Sequence, residues 1–79
     1  MDGSTVKTAV RLREIMAEVL ELDPLQIDDS FARDGVPSWD SLGHLRLITA
    51  LEEAFGIRFT MKEVGELDRF SKLHERLSR

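Results

Sequence analysis

The stretch PSWDSL, residues 37–42, separates a loop rich in aspartate and glycine from an apolar-periodic segment that runs to Phe55. Asp40 suits the N-cap of a helix, because its carboxylate accepts hydrogen bonds from backbone N–H groups of the first turn. Ser41 then takes the first helical position, where these N–H groups and the helix dipole favour a phosphate on its hydroxyl. Asp-Ser is common at helix starts, so these residues alone favour an ordinary first-turn serine.

The helix that follows is predicted to run from Ser41 to residue 54 or 55, with Gly56 just after its end. Most of its apolar residues share one arc, which would face the core. Leu42 and Leu45 fall instead on the polar arc. Two leucines beside a serine of this kind suggest a small docking surface, although scattered exposed leucines are also normal in proteins.

Apolar residues at helical spacing predict a first amphipathic helix over residues 5–21, which Asp23-Pro24 would end because proline lacks an N–H and restricts the residue before it. Residues 22–40 form a long connection, in which Leu25, Ile27 and Phe31 are spaced to anchor the loop on the core. Residues 21–40 carry six acids against one arginine, a net charge of −5. This acidity favours basic partners and disfavours nucleic acid, with a merely solvated loop as the alternative.

Thr60 and Glu63 have the spacing of a capping box, which predicts a short helix over about residues 61–65. Asp68 is positioned to cap a last helix over about residues 69–77. Together these segments predict an all-α fold, a small four-helix bundle with three main amphipathic helices, one short helix and a long loop between helices 1 and 2. At 79 residues the chain is expected to form a single domain, residues 1–79.

The composition excludes several kinds of site. The chain has no cysteine, so a disulfide, a thiolate nucleophile and a zinc–thiolate centre are all ruled out. No spacing indicates a metal site, an acid–base pair or a glycine-rich phosphate loop, so no catalytic residue is assigned. His44 has no second histidine near it in sequence, which favours a structural role. No apolar run could span a membrane and no signal pattern is present, so the cytoplasm is the expected location.

Beyond the serine, the chain resembles a known family over nearly its whole length. The matching residues are Asp40-Ser41-Leu42, then Leu45, Leu47-Ile48, Ala50-Leu51-Glu52-Glu53 and Phe55-Gly56-Ile57. They are similar to the acyl carrier protein family and its peptidyl carrier relatives. The resemblance implies that Ser41, between Asp40 and Leu42, is the attachment point of a 4′-phosphopantetheine cofactor whose thiol carries acyl groups as thioesters. It also implies a non-enzymatic partner of a phosphopantetheinyl transferase and of acyl-transferring biosynthetic enzymes, expected here as a monomer.

The resemblance assigns two further groups of residues. Carriers of this family present their second helix to enzymes, which implies a docking surface made of Trp39, Leu42, Leu45, Arg46, Thr49, Glu52 and Glu53. A tryptophan at position 39 is more often a partly buried lid on the core, so both roles stay open for Trp39. The space between the helices of such carriers can accept an attached acyl chain, and the candidate lining here is Ile15, Val19, Phe31, Ile48, Leu51, Val64 and Leu67.

Some positions depart from the family pattern and leave the pathway open. Gly43 and Arg46 stand where carriers of primary fatty acid synthesis commonly have acids, and Thr49 stands where they often have methionine. Because Arg46 would repel a basic enzyme patch, we expect a dedicated set of partners from a specialised pathway. The cargo stays open between fatty acyl, polyketide and aminoacyl groups. Met1 at the start favours a discrete protein over a piece of a larger synthase.

Two other functions compete with the carrier hypothesis. The chain could be an unmodified helical adaptor that binds a partner through Trp39, Leu42 and Leu45. It could also be a catalytic domain that uses His44, and this activity would survive Ser41→Ala and disappear with His44→Ala. Attachment of one phosphopantetheine arm, absent from Ser41→Ala, separates the carrier from the adaptor.

Overall fold

The computed structural model describes residues 3–79, with side chains described from residue 6 onward. Its helices are α1 Gly3–Leu20, α2 Ser41–Phe55, α3 Met61–Glu66 and α4 Phe70–Leu77, and the loop between α1 and α2 contains a short 3₁₀ turn at Pro24–Gln26. Within residues 3–79 the regular structure is helical, apart from an isolated bridge between Ala32 and Arg69. The predicted all-α bundle is therefore confirmed. None of these described helices is both long and apolar enough to cross a membrane.

α1 ends at Leu20 by a mechanism that the sequence analysis did not predict. Glu21 adopts a left-handed backbone conformation with φ of 54°, and the Leu22 N–H donates to the Ala17 carbonyl at 2.9 Å. This arrangement is the Schellman motif, which satisfies the last carbonyl groups of a helix. The prediction that Asp23-Pro24 ends α1 was therefore wrong. Asp23 instead caps the 3₁₀ turn, whose first residue is the proline.

α1 packs against α2 and α4, and these helices bury one apolar core. The largest fully buried side chains come from α1 (Leu12, Met16, Leu20), α2 (Leu47, Leu51), α4 (Phe70, Leu73) and the long loop (Ile27, Trp39). Burying each such aliphatic or phenylalanine side chain stabilises the fold by about 1.5–3 kcal/mol relative to leaving it exposed. Because two of these side chains belong to the loop, the loop is part of the packed structure and has a fixed path to α2.

The long loop is bonded to the helices on both sides of the core. Arg13 Nε donates to the Ile27 carbonyl at 2.6 Å, and the Phe70 N–H donates to the Phe31 carbonyl at 2.9 Å. Ile27 is buried and Phe31 half-buried, which confirms two of the three predicted anchors. Leu25 is 91% exposed, so its prediction as an anchor was wrong. The reason is the 3₁₀ turn, which carries the Leu25 side chain out into solvent.

α3 is held by polar contacts. The predicted capping box is present, because Thr60 Oγ1 accepts from the Glu63 N–H at 3.1 Å and Glu63 Oε1 accepts from the Thr60 N–H at 2.9 Å. The second Glu63 oxygen pairs with Arg76 of α4. The Thr60 N–H, followed by the Arg76 guanidinium, lowers the pKa of Glu63 below its ordinary value. None of the six residues of α3 is buried, so these contacts position the helix.

α4 begins at Phe70 without the predicted aspartate cap. Arg69 occupies the N-cap position and makes no side-chain capping bond there. The Asp68 carboxylate pairs with Arg69 and Lys72 instead. The prediction that Asp68 caps this helix was wrong, because the loop carbonyl of Phe31 already accepts from the Phe70 N–H.

The left-handed residue at the end of α1 generates a stability prediction. Glycine avoids the steric cost of this conformation, so we expect Glu21→Gly to raise the free energy of unfolding by about 1 kcal/mol. The same change at Glu18, an exposed position inside α1, should lower it by about 1 kcal/mol, since glycine is a poor helix former. Urea unfolding followed by circular dichroism measures both variants. Equal destabilisation of both would contradict this assignment of the helix end.

Candidate functional site

Ser41 is the first residue of α2 and is exposed to solvent. Within the part of the chain whose side chains are described, its hydroxyl makes no hydrogen bond. The helix has 15 residues, so its first turn presents backbone N–H groups and the positive end of a dipole close to this hydroxyl. Ser41 is therefore accessible to another molecule and is not held back by bonds within the protein.

Asp40 caps α2, as the sequence predicted. Its backbone is extended, with φ of −88° and ψ of −169°, and its Oδ1 accepts from the Gly43 N–H at 2.8 Å. A cap of this kind contributes about 1 kcal/mol to stability. Because the carboxylate holds the N–H group two residues beyond Ser41, Asp40 fixes the turn that presents the serine.

Gly43 allows the preceding loop to cross the start of α2 in direct contact. A Cβ at this position would overlap the carbonyl oxygen of Ser38 and would lie 3.2 Å from Asp40 Oδ1. Any larger residue would therefore push the Ser38 backbone away from the helix. The glycine that departs from the pattern of primary fatty acid carriers thus has a packing reason in this chain.

A hydrogen-bonded chain of three residues links the loop, α2 and α3. Trp39 Nε1 donates to His44 Nδ1 at 2.9 Å, and His44 Nε2 lies 2.6 Å from the Val64 carbonyl oxygen. An indole nitrogen is only a donor, so Nδ1 accepts, and Nε2 carries the proton and donates to the carbonyl. The neutral imidazole is therefore held in one tautomer between the three segments.

The burial of Trp39 corrects one of the predicted docking residues. Its side chain is 1% exposed, and its ring stacks on Phe31 with 5.7 Å between centroids. Arg33 Nε also donates to the Trp39 carbonyl at 2.8 Å, which ties the backbone as well. The prediction that Trp39 docks another protein was wrong, because its large apolar ring is buried in the bundle and its N–H donates to His44.

His44 has a structural place in the core and is 5% exposed. Both ring nitrogens are engaged, so neither is free to take a proton from Ser41. Losing either bond would leave a buried polar group unpaired, at a cost of about 1–3 kcal/mol. Over residues 3–79, no group of side chains is arranged to hold a metal ion. Sequence reasoning missed the Trp39–His44 pair, whose one signal was the position of the histidine on the inner arc of α2.

The outer face of α2 consists of Leu42, Leu45, Arg46, Thr49 and Glu53, and all five residues are exposed. The two leucines are 57% and 56% exposed. A shallow groove of about 360 Å³ is lined by Ala50 and by four residues of this face, Leu45, Arg46, Thr49 and Glu53. Arg46 forms no ion pair with any described side chain, so its charge is available to a partner. The use of this face in docking stays a prediction.

Glu52 differs from its neighbour Glu53 in what its carboxylate contacts. It is half-buried, and its Oε2 accepts from the Phe59 N–H at 2.9 Å. This bond holds the linker between α2 and α3 against the end of α2. Of the two glutamates predicted to dock partners, Glu53 is therefore the one whose carboxylate is free of such a bond.

The seven residues proposed to line an acyl-chain pocket belong to the packed interior. Ile48, Leu51 and Leu67 are buried, whereas Ile15, Val19, Phe31 and Val64 are half-buried. Phe31 is stacked on Trp39, and the Val64 carbonyl is bound to His44. Insertion of a chain among these residues stays a prediction.

The contact at Gly43 can be tested by adding one methyl group. We expect Gly43→Ala to lower the free energy of unfolding by about 1–3 kcal/mol, because the added Cβ overlaps the Ser38 carbonyl. Gly65→Ala is the matched control, since a Cβ there meets nothing within 4 Å and alanine favours the α3 helix. It should raise the free energy of unfolding by about 0.5–1 kcal/mol. Denaturant unfolding measures both, and a neutral Gly43→Ala would contradict the close approach.

The sequence as a whole also matches a known family. Residues 10–75 match the profile of the PP-binding family, described as "Phosphopantetheine attachment site". None of the curated proteins compared with the chain matches it. The matched range covers most of the sequence and includes the exposed serine at the start of α2. The chain therefore belongs to the phosphopantetheine attachment-site family, whose members carry a covalently attached 4′-phosphopantetheine group.

Proposed function

We propose that this protein carries acyl groups as thioesters on a 4′-phosphopantetheine group attached to Ser41. The observation that supports Ser41 most directly is its exposed and unengaged hydroxyl at the first position of α2, inside the matched range. The group supplies a thiol, which the chain itself lacks because it contains no cysteine. The residues fit such a group, since the hydroxyl is accessible and the helix N-terminus beside it favours a phosphodiester anion.

We assign the base for attachment at Ser41 to the modifying enzyme. The ring nitrogens of His44 are both engaged, and Asp40 Oδ1 is already bonded to the Gly43 N–H. Ser41 Oγ would form the new bond to the phosphorus next to the pantetheine arm as the pyrophosphate bond of coenzyme A breaks, adenosine 3′,5′-bisphosphate would leave, and the serine proton would pass to a base of the phosphopantetheinyl transferase. The contribution of this chain is positional, because Asp40 and Gly43 fix the turn that presents the serine.

We assign docking of the partner enzymes to the outer face of α2. Leu42 and Leu45 offer apolar contact next to the serine, and Arg46, Thr49 and Glu53 complete the face with polar groups. Such a small surface supports brief association rather than a permanent complex. Brief association suits a carrier, which must leave each enzyme to reach the next.

Arg46 favours a pathway with its own set of enzymes. Its charge is unpaired among the described side chains, whereas acids are concentrated in the loop before α2, where Asp28, Asp29 and Asp34 are exposed. An enzyme that docks through a basic patch would be repelled at Arg46. We therefore propose a specialised pathway, with fatty acyl, polyketide and aminoacyl cargo as candidates. The cytoplasmic location and the monomeric state stay predictions from the sequence.

An unmodified adaptor is the second candidate function. The exposure of Leu42 and Leu45 favours it as well, because two apolar side chains on one helix face also suit a lasting protein contact. Trp39, the third residue assigned to that contact on sequence grounds, is buried and takes no part. The modification of Ser41 separates the two candidates.

Incubation with coenzyme A and a phosphopantetheinyl transferase tests the carrier proposal. We expect the intact mass to rise by one phosphopantetheine arm, because the Ser41 hydroxyl is accessible. Ser41→Ala should show no gain. Ser38→Ala is the matched control, since the Ser38 hydroxyl is buried, and it should be modified like the wild type. An unmodified wild-type protein with transferases of both broad and narrow specificity would reject the proposal in favour of the adaptor.

Charge reversal at Arg46 tests the choice of pathway. Arg46→Glu removes the like charge that would face a basic docking patch, so we expect kcat/KM with fatty acid synthase enzymes to rise about 5- to 10-fold. Lys7→Glu makes the same charge change on the exposed side of α1 and should alter this value by less than about twofold. Steady-state kinetics with the modified variants gives both values. An Arg46→Glu value equal to that of the wild type would contradict the role of Arg46.

A further inference from the structure

The interior next to Ser41 is filled by stacked rings. Trp39 is 1% exposed, and its ring stacks on Phe31 with 5.7 Å between centroids and 11° between planes. It also stacks on His44, with 6.0 Å between centroids and 29° between planes. Trp39 lies two residues before Ser41 and His44 three residues after it, and Phe31 belongs to the candidate pocket lining, so a chain attached at Ser41 that entered this part of the interior would meet these rings.

The same rings are joined by hydrogen bonds that an alkyl chain cannot replace. Trp39 Nε1 donates to His44 Nδ1, and His44 Nε2 donates to the Val64 carbonyl. A chain that displaced the indole would leave its N–H and the imidazole nitrogen unpaired in apolar surroundings, which is unfavourable. It would also separate Phe31, one of the residues first proposed to line a pocket, from its stacking partner.

We propose that this carrier keeps its cargo outside the helix bundle and that the cargo is a short or polar acyl group. This inference rests on the proposed function, because it concerns a group carried at Ser41. A long alkyl chain that stays outside the bundle would expose a large apolar surface to water, which is unfavourable. A short or polar group exposes little apolar surface. The Trp39–His44 pair is the feature that closes the interior, so it sets the class of cargo.

The proposal is tested by loading the wild-type protein with an acetylated or an octanoylated arm. A phosphopantetheinyl transferase attaches these arms from acetyl-coenzyme A or octanoyl-coenzyme A. The readouts are the melting temperature and the NMR signal of the indole N–H, which belongs to Trp39 because the chain has one tryptophan. We expect the two loaded forms to melt within about 1 °C of each other and to share one indole signal. A rise of about 4 °C or more with octanoyl, together with a displaced indole signal, would overturn the proposal.

His44→Ala tests whether the ring pair is what closes the interior. Removing the imidazole opens space beside Trp39 and frees its N–H from the bond to α2. The octanoyl form of this variant should therefore melt about 4 °C or more above its acetyl form, as the wild type does not. Equal melting of the two forms of His44→Ala would overturn the assignment of this pair. The wild-type comparison decides the main proposal even where this variant does not fold.

The mass of each loaded protein separates failure of this inference from failure of the proposed function. A wild-type protein that gains no arm rejects the carrier function itself. A protein that gains the arm and is then stabilised by octanoyl remains a carrier, and only the inference about its cargo is rejected. Hydrogen exchange of the Trp39 indole N–H gives a further check, because a sheltered octanoyl chain would change its rate relative to the acetyl form.

Discussion

The structure depends on one hydrogen-bonded imidazole in its core. His44 receives the indole N–H of Trp39 and gives its own proton to the Val64 carbonyl, so the loop, α2 and α3 meet at a single side chain. The indole nitrogen, both imidazole nitrogens and the Val64 carbonyl each have a hydrogen-bond partner. These polar groups can therefore be buried at little cost, and their bonds fix the geometry of the three segments. These bonds also hold the start of α2 in place, because Trp39 and His44 lie on the two sides of Ser41 in sequence. In sequence, Ser41 thus lies between two residues whose rings are held in the core.

The surface around Ser41 combines charged groups with exposed apolar side chains. The loop before α2 carries exposed acids, while the outer face of α2 carries two exposed leucines and an unpaired arginine. Long-range attraction between proteins follows net charge, whereas the stability of a docked complex follows local contacts. In the docking proposed above, the acidic loop would attract a basic enzyme, and Arg46 would favour an acidic or neutral group at the point of contact. The two features together narrow the range of partners more than either does alone.

Local patterns predicted most of the fold and part of the site. The periodicity of the helices, the cap at Asp40 and the capping box before α3 each depend on residues within one or two turns, and all are present. The left-handed Glu21 was not predicted, because glycine is the usual residue there and glutamate gives no signal. The burial of Trp39 and the pairing of His44 depend on contacts between separate segments, which no periodicity reports. The sequence therefore predicted the serine at the start of α2, but not the pairing of the rings in the core.

The smallest helix has a consequence for how the bundle responds to a partner. α3 buries none of its own side chains, and it is attached through the Val64 carbonyl, the capping contacts of Thr60 and Glu63, and the arginine of α4. Elements with little buried apolar surface detach at a lower free energy than the core does. Among the described helices, α3 is therefore expected to open at a lower free energy than the packing of α1, α2 and α4. The exposed serine at the start of a well-packed helix thus lies in the same bundle as an element that is attached mainly by polar contacts.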